Sequence, residues 1–142
     1  MNRPYIPAVV RQCVMAAARY RCGYCQTQQA VVGITLHIEH IIPLAAGGSS
    51  EEDNLWLACP TCNNHKGTQM QAIDPETGEA TPLFNPRSQI WHEHFSWSAD
   101  GMTIIGLTAV GRATLVALKM NEAPVQRARR RWVLAGWHPP KD

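Results

Sequence analysis

Four of the five cysteines in this 142-residue chain fall into two Cys-x-x-Cys pairs, Cys22/Cys25 and Cys59/Cys62. Two such pairs supply four soft anionic ligands, the donor set of a tetrahedral structural zinc site. Zinc held by both pairs would close the long loop between them, so its binding free energy becomes folding free energy. The alternative is a pair of redox dithiols, but no thioredoxin-like βαβ pattern surrounds these pairs. The spacing therefore predicts a zinc-stapled fold.

The composition is that of a globular protein, with 45% hydrophobic and 17% charged residues. The length predicts a single domain over 1–142. No apolar run approaches the ~18 residues of a membrane span, and the N-terminal segment does not resemble a secretion signal. We therefore expect a cytoplasmic protein without a membrane partner, a setting in which cysteines bind metal rather than form disulfides.

The first half of the chain is punctuated by turn residues and apolar patterns that predict a ββα unit behind an N-terminal helix. Its predicted elements are a helix from 7 to about 20, a strand at 35–41, a loop at 45–53, a strand at 54–58 and a helix from 60 to about 70. Cys13 lies on the apolar side of the first helix, which predicts a small core residue.

The second half predicts an extension, 71–142, packed on the 1–70 core. Residues 71–86 are rich in turn residues and are expected to run over the surface. A hairpin is predicted over 95–108 around Asp100 and Gly101, followed by helices at 111–120 and 125–135. The fold class is therefore α+β.

The richest motif is HIEHIIPLAAGGSSEEDNLWLACPTCNNHKG, from residue 37 to 67. It sets Glu39 and His40 before a Gly-rich loop, then Asn54, the second cysteine pair, Asn63 and Lys66. Phosphodiester hydrolysis needs water deprotonated and a cation to neutralise charge building on the phosphate. A histidine with an ordinary pKa near ~6.5 can take that proton near neutral pH.

These residues resemble the HNH nucleases, the ββα-metal (His-Me) group, over about the first half of the chain. The resemblance implies that His40 is the general base, that Glu39 and Asn63 bind a catalytic divalent metal, and that Asn54 braces the loop. The family usually has Asp at the position of Glu39 and often His at that of Asn63, where Asn is also an accepted form. Two hard oxygen ligands favour Mg²⁺, or Mn²⁺, over softer metals.

Strand and helix geometry adds conditions to this site. Neighbours on a regular strand point to opposite faces, so Glu39 and His40 need a bulge or a strand end to share a site. Asn63 and Lys66 share a helix face, which predicts Lys66 near a phosphate, whereas His65 should lie at the surface. His37 is either a further member of the site or a packed histidine. His138, near the terminus, is expected to be solvated.

Two functions remain open at this point. The first is a metal-dependent endonuclease that cleaves DNA, and the second is a catalytically silent zinc module that binds nucleic acid or a protein partner. The net charge of +2 demands no nucleic acid. The arginines at 127, 129, 130 and 131 either bind phosphate or form a solvated helix face. Duplex, single strand, RNA and oligomeric state stay open.

Overall fold

The cysteine pairs of the chain frame a short antiparallel hairpin and the helix that follows it. The computed structural model describes residues 5–142. The expectation that the N-terminus is not a secretion signal concerns a segment whose first four residues lie outside this range. The first half comprises α1 (Ala8–Ala17), α2 (Gln29–Val32), β1 (His37–His40), β2 (Leu55–Ala58) and α3 (Pro60–Lys66). The predicted ββα order and the helix that precedes it are confirmed.

Strands β1 and β2 pair in antiparallel register from His37 opposite Ala58 to His40 opposite Leu55. Alternation buries one face of β2, since Leu55 and Leu57 are completely buried. Helix α1 covers this hairpin through Val14, which is also completely buried. Helix α3 packs along β1 and thereby sets its side chains against the first strand.

The second half adds β3 (Gln71–Ile73), β4 (Ala80–Pro82), α4 (Trp91–His94), β5 (Phe95–Trp97), β6 (Ile104–Gly106), α5 (Ala109–Ala117) and α6 (Ala123–Leu134). The hairpin β5–β6 and the two following helices confirm the predictions for 95–108, 111–120 and 125–135. Most of 71–80 is exposed, as expected of a surface segment, and β3 and β4 form a hairpin that the sequence did not predict. Its turn is fixed by Asp74, whose pKa the Arg112 guanidinium holds at about 2.

The two halves share a core and several specific hydrogen bonds. Phe95 and Leu118 belong to the same buried cluster as the four paired cysteines. The Trp91 indole Nε1 donates to the Tyr24 carbonyl at 2.7 Å, and His65 Nδ1 lies 3.0 Å from the Leu118 carbonyl. His65 is therefore half-buried against the extension rather than free at the surface.

Two further single-residue expectations are wrong. Cys13 is exposed, because α1 turns Val14 rather than Cys13 toward the hairpin. His138 is buried rather than solvated, because the tail folds back and its Nε2 lies 3.0 Å from the Gly101 carbonyl. None of the helices within residues 5–142 is long and apolar enough to cross a membrane.

Candidate active site and metal centre

The four paired cysteines converge on one buried point. Their Sγ atoms all lie within 4.8 Å of one another, and those of Cys25 and Cys59 are 3.6 Å apart. The first pair is held to the hairpin by the Gly23 amide, which donates to the Leu57 carbonyl at 2.9 Å. The second pair opens α3, where Cys59 Sγ accepts from the Cys62 amide. The cysteines are thus positioned to bind one metal ion.

The close packing of four buried thiols favours a bound cation in this cluster. Burial raises the pKa of the Cys22 thiol well above its ordinary value, and neighbouring thiols raise that of Cys62. Hydrogen bonds from the same neighbours lower the pKa of Cys25. Four thiols this close ionise together only around a cation, and a tetrathiolate is the donor set of structural zinc.

A buried guanidinium stands beside the thiols. Arg129 of α6 is completely buried and donates to the carbonyls of Met102 and Met120 and to the side-chain oxygen of Asn121. Within residues 5–142 no carboxylate pairs with it. Burial lowers its pKa, whereas the negative charge of the nearby cysteines, Cys25 first, raises it. The thiolates are therefore its nearest source of compensating charge.

Glu39 is buried on the α3 side of β1. It is 3% exposed, its Oε1 accepts from the Tyr24 hydroxyl, and its Oε2 lies 3.4 Å from Lys66 Nζ. Burial raises the pKa of this carboxyl, while the charge of Lys66 and the Tyr24 hydrogen bond lower it. The two donors therefore stabilise the ionised carboxylate in a site that otherwise opposes ionisation.

The Lys66 ammonium is held by three oxygens. Besides Glu39, it donates to the carbonyls of His40 and Ile41, each at 3.1 Å. This buried ammonium already neutralises the Glu39 carboxylate.

Asn63 lies at the opposite end of β1 from the Lys66 ammonium. Its Nδ2 is 3.4 Å from His37 Nδ1, so α3 places Asn63 beside the first residue of the strand. His37 and Glu39 share one strand face by alternation. On the α3 side of β1, Asn63 thus lies beside His37, and Lys66 lies beside Glu39.

His40 is the last residue of β1, which pairs with β2 in regular register through Glu39 and His40 without a bulge. Its Nε2 lies 3.0 Å from Ser50 Oγ in the loop between the strands. Alternation directs His40 away from the face that carries Glu39. Glu39 and His40 therefore have different partners on opposite faces of β1.

Asn54 bridges the loop between the strands. Its side chain accepts from the Ile42 amide at 2.8 Å and donates to the carbonyls of Ile42 and Ser49 at 3.0 and 2.7 Å. Gly48 permits this close approach, since a Cβ there would lie 1.8 Å from the Ile42 carbonyl oxygen. The Gly-rich loop is therefore a fixed connection behind His40.

Sequence reasoning did not find Tyr24 or Ser50. Both contacts join residues distant in sequence, Tyr24 to Glu39 and Ser50 to His40. The one local signal was the position of Tyr24 between two metal-binding cysteines, where a side chain must pack against the hairpin. His37, left open between site and packing, lies beside Asn63.

Comparison with known protein families gives a match for the segment that contains the cysteine pairs. Residues 22–69 match the HNH endonuclease family, from the first paired cysteine to just beyond α3. No curated protein and no solved structure gives a significant match. The matched segment contains both cysteine pairs and the whole ββα unit, so it is compatible with a ββα-metal core. The match indicates a nuclease-type or nucleic-acid-related function.

Proposed function

We propose that this protein is a metal-dependent endonuclease that hydrolyses phosphodiester bonds in DNA. The observation that carries the proposal is the match of residues 22–69 to HNH endonucleases, since that segment contains Glu39, His40, Asn54 and Asn63. Glu39 and Asn63 would hold Mg²⁺ or Mn²⁺, and the cysteine cluster would hold zinc as a structural ion.

Each residue contributes a separate part of the chemistry. Glu39 and Asn63 would hold the divalent ion, whose chemistry would be Lewis-acid stabilisation of the phosphate and of the leaving oxygen. His40 takes a proton from the attacking water, with its imidazole oriented by Ser50. Asn54 keeps the loop behind His40 in place. Lys66 was expected near a phosphate, but its buried ammonium instead neutralises Glu39 and holds the carbonyls of His40 and Ile41 at the end of β1.

An arginine stripe on α6 supports a nucleic-acid partner. Arg127, Arg130 and Arg131 are exposed and lie three and four residues apart, on one helix face. None of the three side chains forms a hydrogen bond or ion pair within residues 5–142. Every other arginine of that range has such a partner. Unpaired guanidinium groups on an acid-free helix favour phosphate binding.

The catalytically silent zinc module is the second candidate. The observation in its favour is that both oxygens of Glu39 already have partners and the side chain is only 2% exposed. In a silent module the Glu39–Lys66 pair would be permanent, and no divalent ion would compete for it. Nucleic-acid binding through the arginine stripe would survive, but hydrolysis would not.

Nicking of supercoiled plasmid DNA in Mg²⁺ or Mn²⁺ separates the two candidates. We expect nicking by the wild-type protein and its loss in His40→Ala, with zinc content and unfolding midpoint unchanged. His92→Ala is a matched control, since His92 is an exposed histidine outside the ββα unit. Equal nicking by wild type and His40→Ala excludes His40 as the base. No nicking by zinc-loaded wild type, with binding retained, supports the silent module.

A further inference from the structure

The hydrogen bonds that orient the buried guanidinium of Arg129 all end on neutral acceptors. Its Nη1 donates to the Met102 carbonyl and the Asn121 side chain, and its Nη2 donates to the Met120 carbonyl. Its Cζ lies over the Trp97 ring, 5.4 Å from the ring centroid. These partners fix the direction of the group but carry no negative charge. A completely buried cation therefore still needs a compensating charge.

One N–H of the same guanidinium has no acceptor. Arg129 Nε is buried, and it is the one buried side-chain nitrogen or oxygen of residues 5–142 without a hydrogen-bond partner. An unsatisfied donor on a charged group destabilises a fold unless a negative group lies nearby. Both the charge and the unsatisfied donor therefore favour an anionic neighbour.

The cysteine cluster is that neighbour. A cleft of about 590 Å³ has Arg129, Cys25, Cys59 and Cys62 in its wall, and most of the remaining wall is apolar. Burial lowers the pKa of the guanidinium, and the negative charge of the three cysteines, Cys25 first, opposes that shift. Zinc brings two positive charges to four thiolates, so a loaded tetrathiolate centre is a dianion. Apolar surroundings screen its attraction for the guanidinium only weakly.

We propose that Arg129 is the counterion of the metal centre, so that the docking of α6 and the binding of zinc strengthen each other. The guanidinium acts through the sulfur ligands, which makes Arg129 a positioning residue rather than a further ligand. The two effects are equal in size, because a coupling free energy between two binding events is reciprocal. This inference rests on the proposed structural zinc and on no step of hydrolysis.

The counterion comes from the part of the chain that the family match does not include. The match to HNH endonucleases ends at residue 69, whereas Arg129 belongs to the C-terminal extension. The extension thus contributes to the metal centre as well as covering it.

Zinc affinity of the full chain, measured by competition with a chelator, tests the proposal without turnover. Arg129→Gln removes the charge, Arg129→Lys keeps it, and Arg130→Gln is the matched control at an exposed arginine of the same helix. Substituting partners of metal ligands typically costs about 10–100-fold in affinity. We expect Arg129→Gln to weaken zinc binding by about that factor, Arg129→Lys to weaken it less, and Arg130→Gln to match wild type. Wild-type affinity in Arg129→Gln overturns the proposal, and so does an equal loss in Arg129→Gln and Arg129→Lys.

A second background separates charge from packing, and it still decides the question if Arg129→Gln alone does not fold. Cys25→His replaces one thiolate by a neutral ligand, and three cysteines with one histidine remain a structural zinc set. Because the centre then carries less negative charge, Arg129→Gln should lower zinc affinity less in the Cys25→His background than in wild type. An equal loss of affinity, or an equal failure to fold, in both backgrounds overturns the proposal.

These measurements also distinguish this inference from the proposed function. A wild-type chain that binds no zinc rejects both the structural zinc and the counterion, whereas zinc binding that is unaffected by Arg129→Gln rejects the counterion alone. Zinc affinity that depends on Arg129, in a protein that nicks no plasmid, supports the counterion and rejects the endonuclease.

Discussion

Lys66 Nζ lies 3.4 Å from Glu39 Oε2, and both side chains are almost completely buried. Breaking a buried ion pair by removing one partner typically costs about 3–5 kcal/mol, because the other charge is left uncompensated. We expect Lys66→Met to lower the free energy of unfolding by about this amount at pH 8. Urea unfolding of the zinc-loaded protein measures the change.

The pH dependence identifies the uncompensated carboxylate as the cause. Burial already raises the pKa of Glu39, and the Lys66 charge opposes this, so Lys66→Met raises that pKa further. A raised folded-state pKa favours the fold below the unfolded value and loses that benefit as pH rises through the folded pKa. The deficit of Lys66→Met should therefore be smaller at pH 6 than at pH 8. The double variant Glu39→Gln/Lys66→Met should regain part of the loss; no recovery would contradict this origin.

Cys59 both binds the cluster and caps α3 through the Cys62 amide. Cys59→Ser should lower zinc content below one ion per chain and destabilise the ββα unit, because metal binding contributes directly to folding. Zinc stoichiometry and the unfolding midpoint measure both effects. Cys13→Ser, at the exposed cysteine outside the cluster, should change neither. An unfolding midpoint insensitive to Cys59→Ser and to chelator would argue against a structural zinc.

Asn54 supplies three hydrogen bonds to the loop behind His40. Asn54→Ala leaves the Ile42 amide and two carbonyls without these partners, and each unsatisfied buried group costs about 1–3 kcal/mol. We expect a loss of about 2–4 kcal/mol in unfolding free energy, part of the exposed loop being satisfied by water. Hydrogen exchange at the Ile42 amide should accelerate. Unchanged protection of that amide would show that the loop does not depend on Asn54.

The arginine stripe predicts a salt-dependent contribution to DNA binding. Each phosphate contact adds about 0.7–0.9 to the slope of log affinity against log salt concentration. In the His40→Ala background, Arg127→Gln/Arg130→Gln/Arg131→Gln should reduce that slope by about 2–3. Fluorescence anisotropy with a labelled DNA oligonucleotide measures it.

Two comparisons control this measurement. Arg19→Gln removes one exposed arginine that pairs with Asp142, and it should leave the slope close to wild type. Zinc content should be the same in all variants, so that a lower slope is not caused by unfolding. A triple variant with the wild-type slope would mean that the stripe is only a solvated helix face.

The sequence predicted the features that follow from local spacing. The cysteine pairs, the ββα order and the Asp100–Gly101 hairpin each have a pattern within a few residues, and each is present in the structure. The sequence did not predict the β3–β4 hairpin, because each of its strands has only three residues, too few to show an alternating pattern. Its turn residues were therefore interpreted as a surface segment.

Side-chain environments were predicted less well, because they depend on long-range packing. The predicted apolar face of α1 included both Val9 and Val14, but Val9 is 70% exposed and only Val14 of the two is buried. The arginine cluster contains one buried and three exposed side chains, a difference that helical spacing alone does not predict. Arg129 is drawn into the core by carbonyl acceptors on other elements, while Arg130 and Arg131 remain exposed.

Arg129 also has a consequence for any attempt to shorten the chain. A fragment ending near residue 70 would keep all four thiols but lose the guanidinium that offsets their charge, together with the Trp91 bond to the cysteine loop. Grafting the ββα unit onto another protein would therefore require a replacement for both. The second half of the chain supplies the positive charge that compensates the thiols and the hydrogen bond that holds the cysteine loop.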